Sequence, residues 1–273
     1  MTDSLMRKRF AITLMVLFGV AGTSIIYRAL VSIDERFEGE PLEFWLRGGQ
    51  PPPQYLLKTN WSQQKAEEAV RHLGSDAIPV LLRKLRAADS PLKSRLIYWA
   101  RKLPLVRIDP VPAARLNIAG YEGFKILGGA GRPAIPELVR IVEANRSLSS
   151  RCYSIGALGC VGSAATNATP SLLKWLADTN ATIRWNTALT LGRIRAQPDI
   201  VVPALIKLIE DGDNWVRHEA INALGAFGPQ AVSATPALTQ RLADPNDAPL
   251  VRGVLRRIAP QADAVIPVTG SQP

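Results

Sequence analysis

Apolar residues recur at helical spacing through most of this chain, and the recurrences come in blocks that repeat. Thr169-Pro170-Ser171-Leu172-Leu173 is echoed by Val202-Pro203-Ala204-Leu205-Ile206 and again by Thr235-Pro236-Ala237-Leu238. Behind the first two prolines come Ile183-Arg184 and Val216-Arg217, and the segments close on Leu191-Gly192 and Leu224-Gly225. The period is 33 residues, and a fixed period in that range marks a solenoid built from one supersecondary unit. No alternating strand pattern competes. The fold class expected is all-α, an α-solenoid of stacked helical hairpins.

Residues 201–228 show what one unit is made of. Pro203 suits the first turn of a helix, where its missing N–H breaks no bond. Leu205, Ile206, Leu208 and Ile209 supply the apolar stripe, and Gly212 is expected to end the helix in a left-handed cap. Asp213 or Asn214 then caps the next helix. Val216, Ala220, Ile221, Ala223, Leu224 and Phe227 give that helix a broad apolar face, and Gly228-Pro229 stops it. Neither helix can bury its stripe alone, so several hairpins have to stack.

The rest of the chain is read against this unit. Arg7-Lys8-Arg9 precedes a run from Phe10 to Tyr27 without a charge, long enough as a helix to cross a hydrocarbon core of about 30 Å. Either an uncleaved signal anchor or a cleaved signal peptide fits, Gly19 and Ala21 being small enough to precede a cut. The anchor is favoured because the apolar run continues through Ile25-Ile26. Basic residues before the span and acids after it place the N-terminus in the cytoplasm and the repeats outside. The expected order is a basic N-terminus at 1–9, a transmembrane anchor at 10–30, and a juxtamembrane segment with a proline-rich linker at 31–60. The repeat array follows at 61–259 and a tail at 260–273. Gly39 to Leu46 reads as a short helix, and Ser62 to Gly74 as the second helix of an incomplete first repeat. Pro79 opens a full repeat whose second helix is expected near Leu92. A proline-rich loop from Leu103 to Pro112 and an added helix from Ala113 to Gly128 then interrupt the array.

The proline near the start of the first helix, the turn aspartate, the arginine six residues later and the closing Leu-Gly resemble the HEAT repeat family, in its short bacterial form akin to phycobilisome-lyase-type repeats. Asp178 with Arg184 and Asp211 with Arg217 carry the match, and Asp244 with Arg252 departs from it by two residues. Gly39-Glu40-Pro41-Leu42-Glu43-Phe44-Trp45-Leu46 is similar to an element found ahead of such repeats in membrane-anchored bacterial proteins. The resemblance implies a binding scaffold. Bilin lyases and some DNA glycosylases also carry such repeats, so it leaves open an enzyme or nucleic-acid-acting alternative.

Composition changes this picture in one respect. At 273 residues, 47% hydrophobic and 21% charged, the chain is globular in character, with a net charge of +10. The basic excess concentrates in residues 46–130. Arg83, Lys84, Arg86, Lys93, Arg95, Arg101, Lys102 and Arg107 stand against Asp89, the single acid between 81 and 107. Such a run marks either a solvated face or a site for an anionic partner, and the reversal set Arg83, Lys84, Lys93 and Arg95 is placed on exposed faces. The second helices offer another surface, with Tyr98, Tyr153, Trp185, Asn186, His218 and Glu219, since aromatics are common interface anchors. Arg151, Arg184, Arg217 and Arg252 are expected to bond turn aspartates of their own or a neighbouring hairpin. His218-Glu219 lacks the second histidine of a zinc-protease motif. Cys152 and Cys160, eight apart on one helix, are too distant for a disulfide and read as small core residues. No catalytic residue, cofactor or metal is expected. The partner is expected to be a protein or an anionic envelope component.

Overall fold

The helical hairpins predicted from the 33-residue period are present. A computed structural model of the chain describes residues 36–37, 40–42, 46, 61–90, 95, 98–99 and 111–260. The chain divides into two compact units, residues 1–73 and 74–273. The division falls inside the stretch 61–259 read as the repeat array.

In the first unit, β1 (Arg36–Phe37) and β2 (Glu40–Pro41) pair antiparallel, Phe37 opposite Glu40. The expected helix over Gly39 to Leu46 is therefore corrected at Glu40 and Pro41, while Leu42 and Leu46 are helical. α1 (Trp61–Leu73) follows. The Phe37 ring lies 5.3 Å from the His72 ring and 5.9 Å from Lys65 Nζ. Positions 65 and 72 are two turns apart on α1, so one face of that helix carries the hairpin. Residues 10–30, read as an anchor, lie outside the described residues, as does the tail from 261. Among the described residues no helix is long and apolar enough to cross a membrane.

The second unit is a stack of hairpins. α2 (Ile78–Leu85) pairs with α3 (Ala113–Leu127), α4 (Ile135–Glu143) with α5 (Leu148–Val161), and α6 (Thr169–Trp175) with α7 (Ala181–Ile194). α8 (Pro198–Leu208) with α9 (Asn214–Phe227) and α10 (Thr235–Arg241) with α11 (Ala248–Ile258) complete the described stack. The second helices pack successively, α3 on α5, α5 on α7, α7 on α9 and α9 on α11. Val216, Ala220, Ile221, Ala223, Leu224 and Phe227 are all buried, as the apolar face of α9 requires.

The recurring Leu-Gly has a packing cause. Leu158, Leu191 and Leu224 are buried. The glycine after each admits the next helix: a Cβ on Gly192 would stand 3.0 Å from Ala223 Cα, and one on Gly159 would stand 3.2 Å from Thr190 Oγ1. A side chain at either place would push neighbouring hairpins apart.

Three of the four connectors between successive hairpins are 3-10 segments, Gly128–Ala134, Gly162–Ala168 and Gly228–Ala234. Each opens on a glycine at φ between 51° and 69° with ψ between −129° and −145°, a region closed to side chains. The fourth connector has Arg195 at that place. Arginine cannot follow glycine there and takes φ 50°, ψ 41° instead. The chain consequently leaves α7 differently, and α8 begins early, at Pro198. Pro203 is thereby inside α8 rather than in its first turn, a correction to the sequence reading. Gly212 is a second correction: only Gly74, Gly128, Gly162 and Gly228 have positive φ among the described glycines. α8 ends instead on Ile209, whose cap is right-handed.

The largest correction concerns the interruption. α3 is not an added helix but the second helix of the first full hairpin. Asn117, fully buried on α3, donates from Nδ2 to the carbonyls of Lys84, Leu85 and Ala87 at the end of α2. Asp89 accepts from the N–H of Ala113, capping α3 from across the insertion. The inserted stretch is residues 86–112, where later hairpins use 144–147, 176–180 and 209–213. Residues 95, 98 and 99 within it are helical.

Candidate interaction groove

Each second helix presents to solvent the positions that its buried stripe leaves over, and the 33-residue period aligns them. Cys152, Trp185 and His218 share one place on α5, α7 and α9, and Tyr153, Asn186 and Glu219 share the next. Between α5 and α7 these positions line a groove of about 770 Å³. Tyr121 of α3, Tyr153, Trp185, Leu189 and Arg193 are among its walls. A smaller recess of about 270 Å³ adjoins it, sharing Thr182 and Trp185 and reaching Trp215 at the start of α9. Trp215 is 74% exposed and Leu148, at the other edge, 45%.

Two glycines on α5 seat the groove's walls. A Cβ on Gly156 would come within 3.0 Å of the Tyr121 ring, so the bare backbone there lets the tyrosine lie down on α5. The Tyr121 and Tyr153 rings are then 5.7 Å apart and tilted by 45°, within the range of a favourable aromatic pair. A Cβ on Gly159 would meet the Arg193 stem at 3.2 Å. Arg193 reaches across from α7 and donates to the Tyr121 hydroxyl at 3.4 Å. Lys125 Nζ stands 5.8 Å from the centre of the Tyr121 ring and pairs with Glu122 at 2.8 Å. Tyr121 and Arg193 escape the sequence reading. The signal that would have found them is Gly156 with Gly159, one turn apart in mid-helix, where glycine is otherwise unfavourable.

Burial pushes the Glu219 carboxyl above its ordinary range, against the pull of Arg193 and of the Trp185 indole, which donates to it. Burial alone would lower the Arg193 guanidinium, but the Tyr121 hydroxyl and nearby Glu219 raise it. Cys152 and Cys160 are free thiols, half-buried rather than core, and Cys152 lines the groove. Burial pushes Cys152 up to about 11 and raises Cys160 as well, so neither is a thiolate nucleophile at neutral pH.

Within the arginine row, Arg151 and Arg184 bond the turn aspartate of the following hairpin, and Arg184 and Arg217 bond a turn carbonyl of their own. Arg184 donates from Nη1 to the carbonyl of Asp178 at 2.9 Å and grips Asp211 of the following hairpin at 2.7 and 2.8 Å. Arg151 bonds Asp178 of the following hairpin through Nη2 alone. Arg217 repeats the first contact, on the carbonyl of Asp211 at 2.8 Å, but not the second. The longer turn over 242–247 brings Asp247 into place instead, where Nε2 of His218 meets it at 2.8 Å. Asp247 is fully buried and also accepts from Arg241. His218 is thus engaged in tying α9 to the next hairpin.

Among the described residues the basic run does not form one exposed face. Lys84 is buried, which corrects its placement on an exposed face. Arg86 is paired with Glu137 at 2.8 Å. Arg83 and Arg95 are exposed, and Lys93, Arg101, Lys102 and Arg107 lie outside the described residues. Tyr98 and Trp99 are exposed within the insertion and pack edge-on, their rings 6.0 Å apart. Asp89 is committed to capping α3. Among the described residues no group of histidines, cysteines and carboxylates could hold a metal ion.

No curated protein gives a significant sequence match to the chain. Among solved structures, the crystal structure of an engineered protein is similar at 19% identity with a TM-score of 0.45, covering 80% of this chain and 94% of that one. Residues 169–258 match the family model for HEAT repeats. They are the three consecutive hairpins from α6 to α11, and the match supports the HEAT repeat family that the turn aspartates, arginines and Leu-Gly pairs resemble.

Proposed function

We propose that this chain is a membrane-tethered scaffold that holds a protein partner on the exposed row of its second helices, on the extracytoplasmic side. The observation that carries the reading is the groove over α5 and α7. Successive helices contribute one aromatic each, Tyr121, Tyr153, Trp185 and Trp215, and the last of these is 74% exposed. Tyr121, Tyr153 and Trp185 are half-buried and Trp215 is exposed, and partly exposed aromatics over a preformed groove are what a binding surface uses. The tether rests on the uncharged run Phe10–Tyr27 with its basic flank. The role is binding rather than catalysis. An anionic envelope component on the basic run is the lesser reading, because Lys84 is buried and Arg86 is paired.

The test is site-specific photocrosslinking in intact membranes, with a photoreactive amino acid at Trp215, at Arg83, or at Gln230 as an exposed control. A discrete protein adduct from position 215 alone is the expected result. Adducts from position 83 alone would move recognition to the basic run, and equal labelling at all three would remove the groove from consideration. Fusions of alkaline phosphatase and of green fluorescent protein after Pro273 test the topology separately. An active phosphatase fusion is expected, and a fluorescent fusion with inactive phosphatase would place the repeats in the cytoplasm.

A further inference from the structure

We infer that Glu219 of α9 is the positioning residue of the groove: from outside the lining it holds Trp185 and Arg193, two of the walls, and the shape of the groove follows the ionisation of its carboxyl. The inference rests on the scaffold reading, which makes the groove the binding surface, and names a regulation of that site.

Geometry is the first argument. Trp185 lines both the groove and the adjoining recess, so the setting of its ring divides one from the other. Arg193 lines the groove about two turns further along α7, its stem against Gly159 and a donor on the Tyr121 hydroxyl. Glu219 acts on both walls at once: its carboxylate accepts from the Trp185 indole and attracts the Arg193 guanidinium. It is half-buried and lines neither recess. One carboxylate on the next hairpin thus fixes an aromatic wall and a charged wall of this one.

Electrostatics is the second argument. Glu219 is the one acid on α9, where Arg217 and His218 are already bonded to the Asp211 carbonyl and to Asp247. Of the elements packed against α9, α7 brings Arg184 and Arg193, and α11 brings Arg252, Arg256 and Arg257. α8 brings the exposed Asp199 and Lys207, and the connector Gly228–Ala234 no charge. Arg184 is held by Asp211 and Arg257 lies over Gly225, while Arg193 is the cation that acts on Glu219. Burial nevertheless outweighs Arg193 and the indole, and holds the carboxyl above its ordinary range. Ionising it therefore costs the fold stability as pH rises, so the charge is not kept for folding. Above the raised value the carboxylate keeps the indole donor and draws Arg193 towards α9. As pH falls through that value it takes a proton, the pull on Arg193 ends and the indole faces a weaker acceptor. The walls are released on mild acidification, while the depressed carboxyls of Asp178, Asp211 and Asp247 still hold the hairpins together.

The experiment uses the full chain in detergent, labelled with 5-fluorotryptophan and followed by fluorine NMR across the mildly acidic range. Trp185→Phe assigns the Trp185 resonance, and the buried Trp175 serves as internal control. The Trp185 resonance is expected to titrate with a midpoint above about 4.3, the ordinary glutamate value, with Trp175 unmoved. Glu219→Gln keeps an acceptor for the indole but cannot ionise. It should abolish that titration while melting no lower than the parent at neutral pH. Arg193→Gln removes the cation that favours the charged carboxylate and should raise the midpoint. His218 adjoins Glu219, and imidazole is the side chain that ordinarily changes charge between about pH 5 and 8. A Trp185 shift that persists in Glu219→Gln would therefore belong to the histidine and overturn the inference. So would a Trp185 resonance that does not titrate in the parent, or a midpoint that Arg193→Gln leaves unchanged or lowers. A Glu219→Gln variant that melts well below the parent would overturn it too, by making Glu219 a structural residue. These readouts need no partner, so their failure leaves the scaffold reading to the position-215 crosslink, and loss of that crosslink leaves the coupling of Glu219 to Trp185 standing.

Discussion

Two glycines show how much a single β-carbon weighs in this stack. Gly192 lies where α7 meets α9, and an added Cβ would stand 3.0 Å from Ala223 Cα, a backbone atom with little freedom to move. Alanine there gains helix propensity of up to about 1 kcal/mol but overpacks a helix contact at a cost of about 1–3 kcal/mol. Gly192→Ala is expected to lower stability by about 1–2 kcal/mol. Gly253 lies within α11, exposed, with no atom near its missing Cβ. Gly253→Ala keeps the propensity gain alone and should raise stability by about 0.5–1 kcal/mol. Opposite shifts in melting temperature check the pair. A second pair tests the helix register: Leu224 is fully buried and Asn222 exposed. Leu224→Ala should cost about 2–5 kcal/mol and Asn222→Ala no more than about 0.5, and equal losses in urea titrations would contradict the packing of α9.

At the scale of elements, the insertion is the informative case. Its ends meet, because Asp89 hydrogen-bonds the N–H of Ala113 and Asn117 closes the carbonyl end of α2. The hairpin α2–α3 therefore needs no residue between 91 and 110 to bring its helices together. Replacing residues 91–110 by a short Gly-Ser linker is expected to leave cooperative unfolding intact and to shift the melting temperature by only a few degrees, since loop closure depends weakly on length. Asn117→Leu should cost far more, about 2–4 kcal/mol, because it strands buried carbonyls at the end of α2. A linker variant that fails to fold would return α3 to the status of an added helix. The connector at 195–197 teaches a related lesson. One arginine in place of glycine removes a 3-10 segment and lets α8 start early, with Pro203 inside it.

Over the whole molecule, the arginine–aspartate contacts tie hairpin to hairpin and give stability a pH dependence of definite sign. Arg184 and the backbone N–H of Asp213 hold the Asp211 carboxyl below its usual range against the effect of burial. For Asp178 and Asp247, burial alone would raise the carboxyl. Arg151 and the Asn180 N–H outweigh it in the first case, and Arg241 and His218 in the second. A carboxyl depressed in the folded state contributes fully above its unfolded pKa, near ~3.9, and its contribution is lost as pH falls through the folded value. Asp211→Asn is expected to cost about 1–3 kcal/mol at pH 7, a partly buried charged pair with two hydrogen bonds being at stake. The gap from the parent should close as pH falls from about 5 towards 2. Denaturant titrations across that range check it, and a gap independent of pH would mean that the pair contributes by shape alone.

The local rules in the sequence carried the hairpins. Apolar spacing, Pro136, Pro170 and Pro236 in the first turns, the Asp213 cap and the stop at Gly228 all depend on neighbours within a few residues, so a linear reading reaches them. The buried face of α9 followed from the same periodicity. What needed the tertiary structure depends on residues far apart in the chain. Asn117 meets the end of α2 across more than thirty positions, and only that contact identifies α3 as the partner helix. Lys84 sits in a basic run yet is buried, because burial is decided by what packs over a helix and not by the residue's neighbours in sequence. Tyr121 and Arg193, 72 positions apart, face each other over Gly156 and Gly159. The period could place Tyr153 with Asn186, and Cys152 with Trp185, on one surface, because equivalent positions of a repeat align by symmetry. It could not supply the groove, because its walls come from helices of different repeats at non-equivalent positions, brought together only when the hairpins stack.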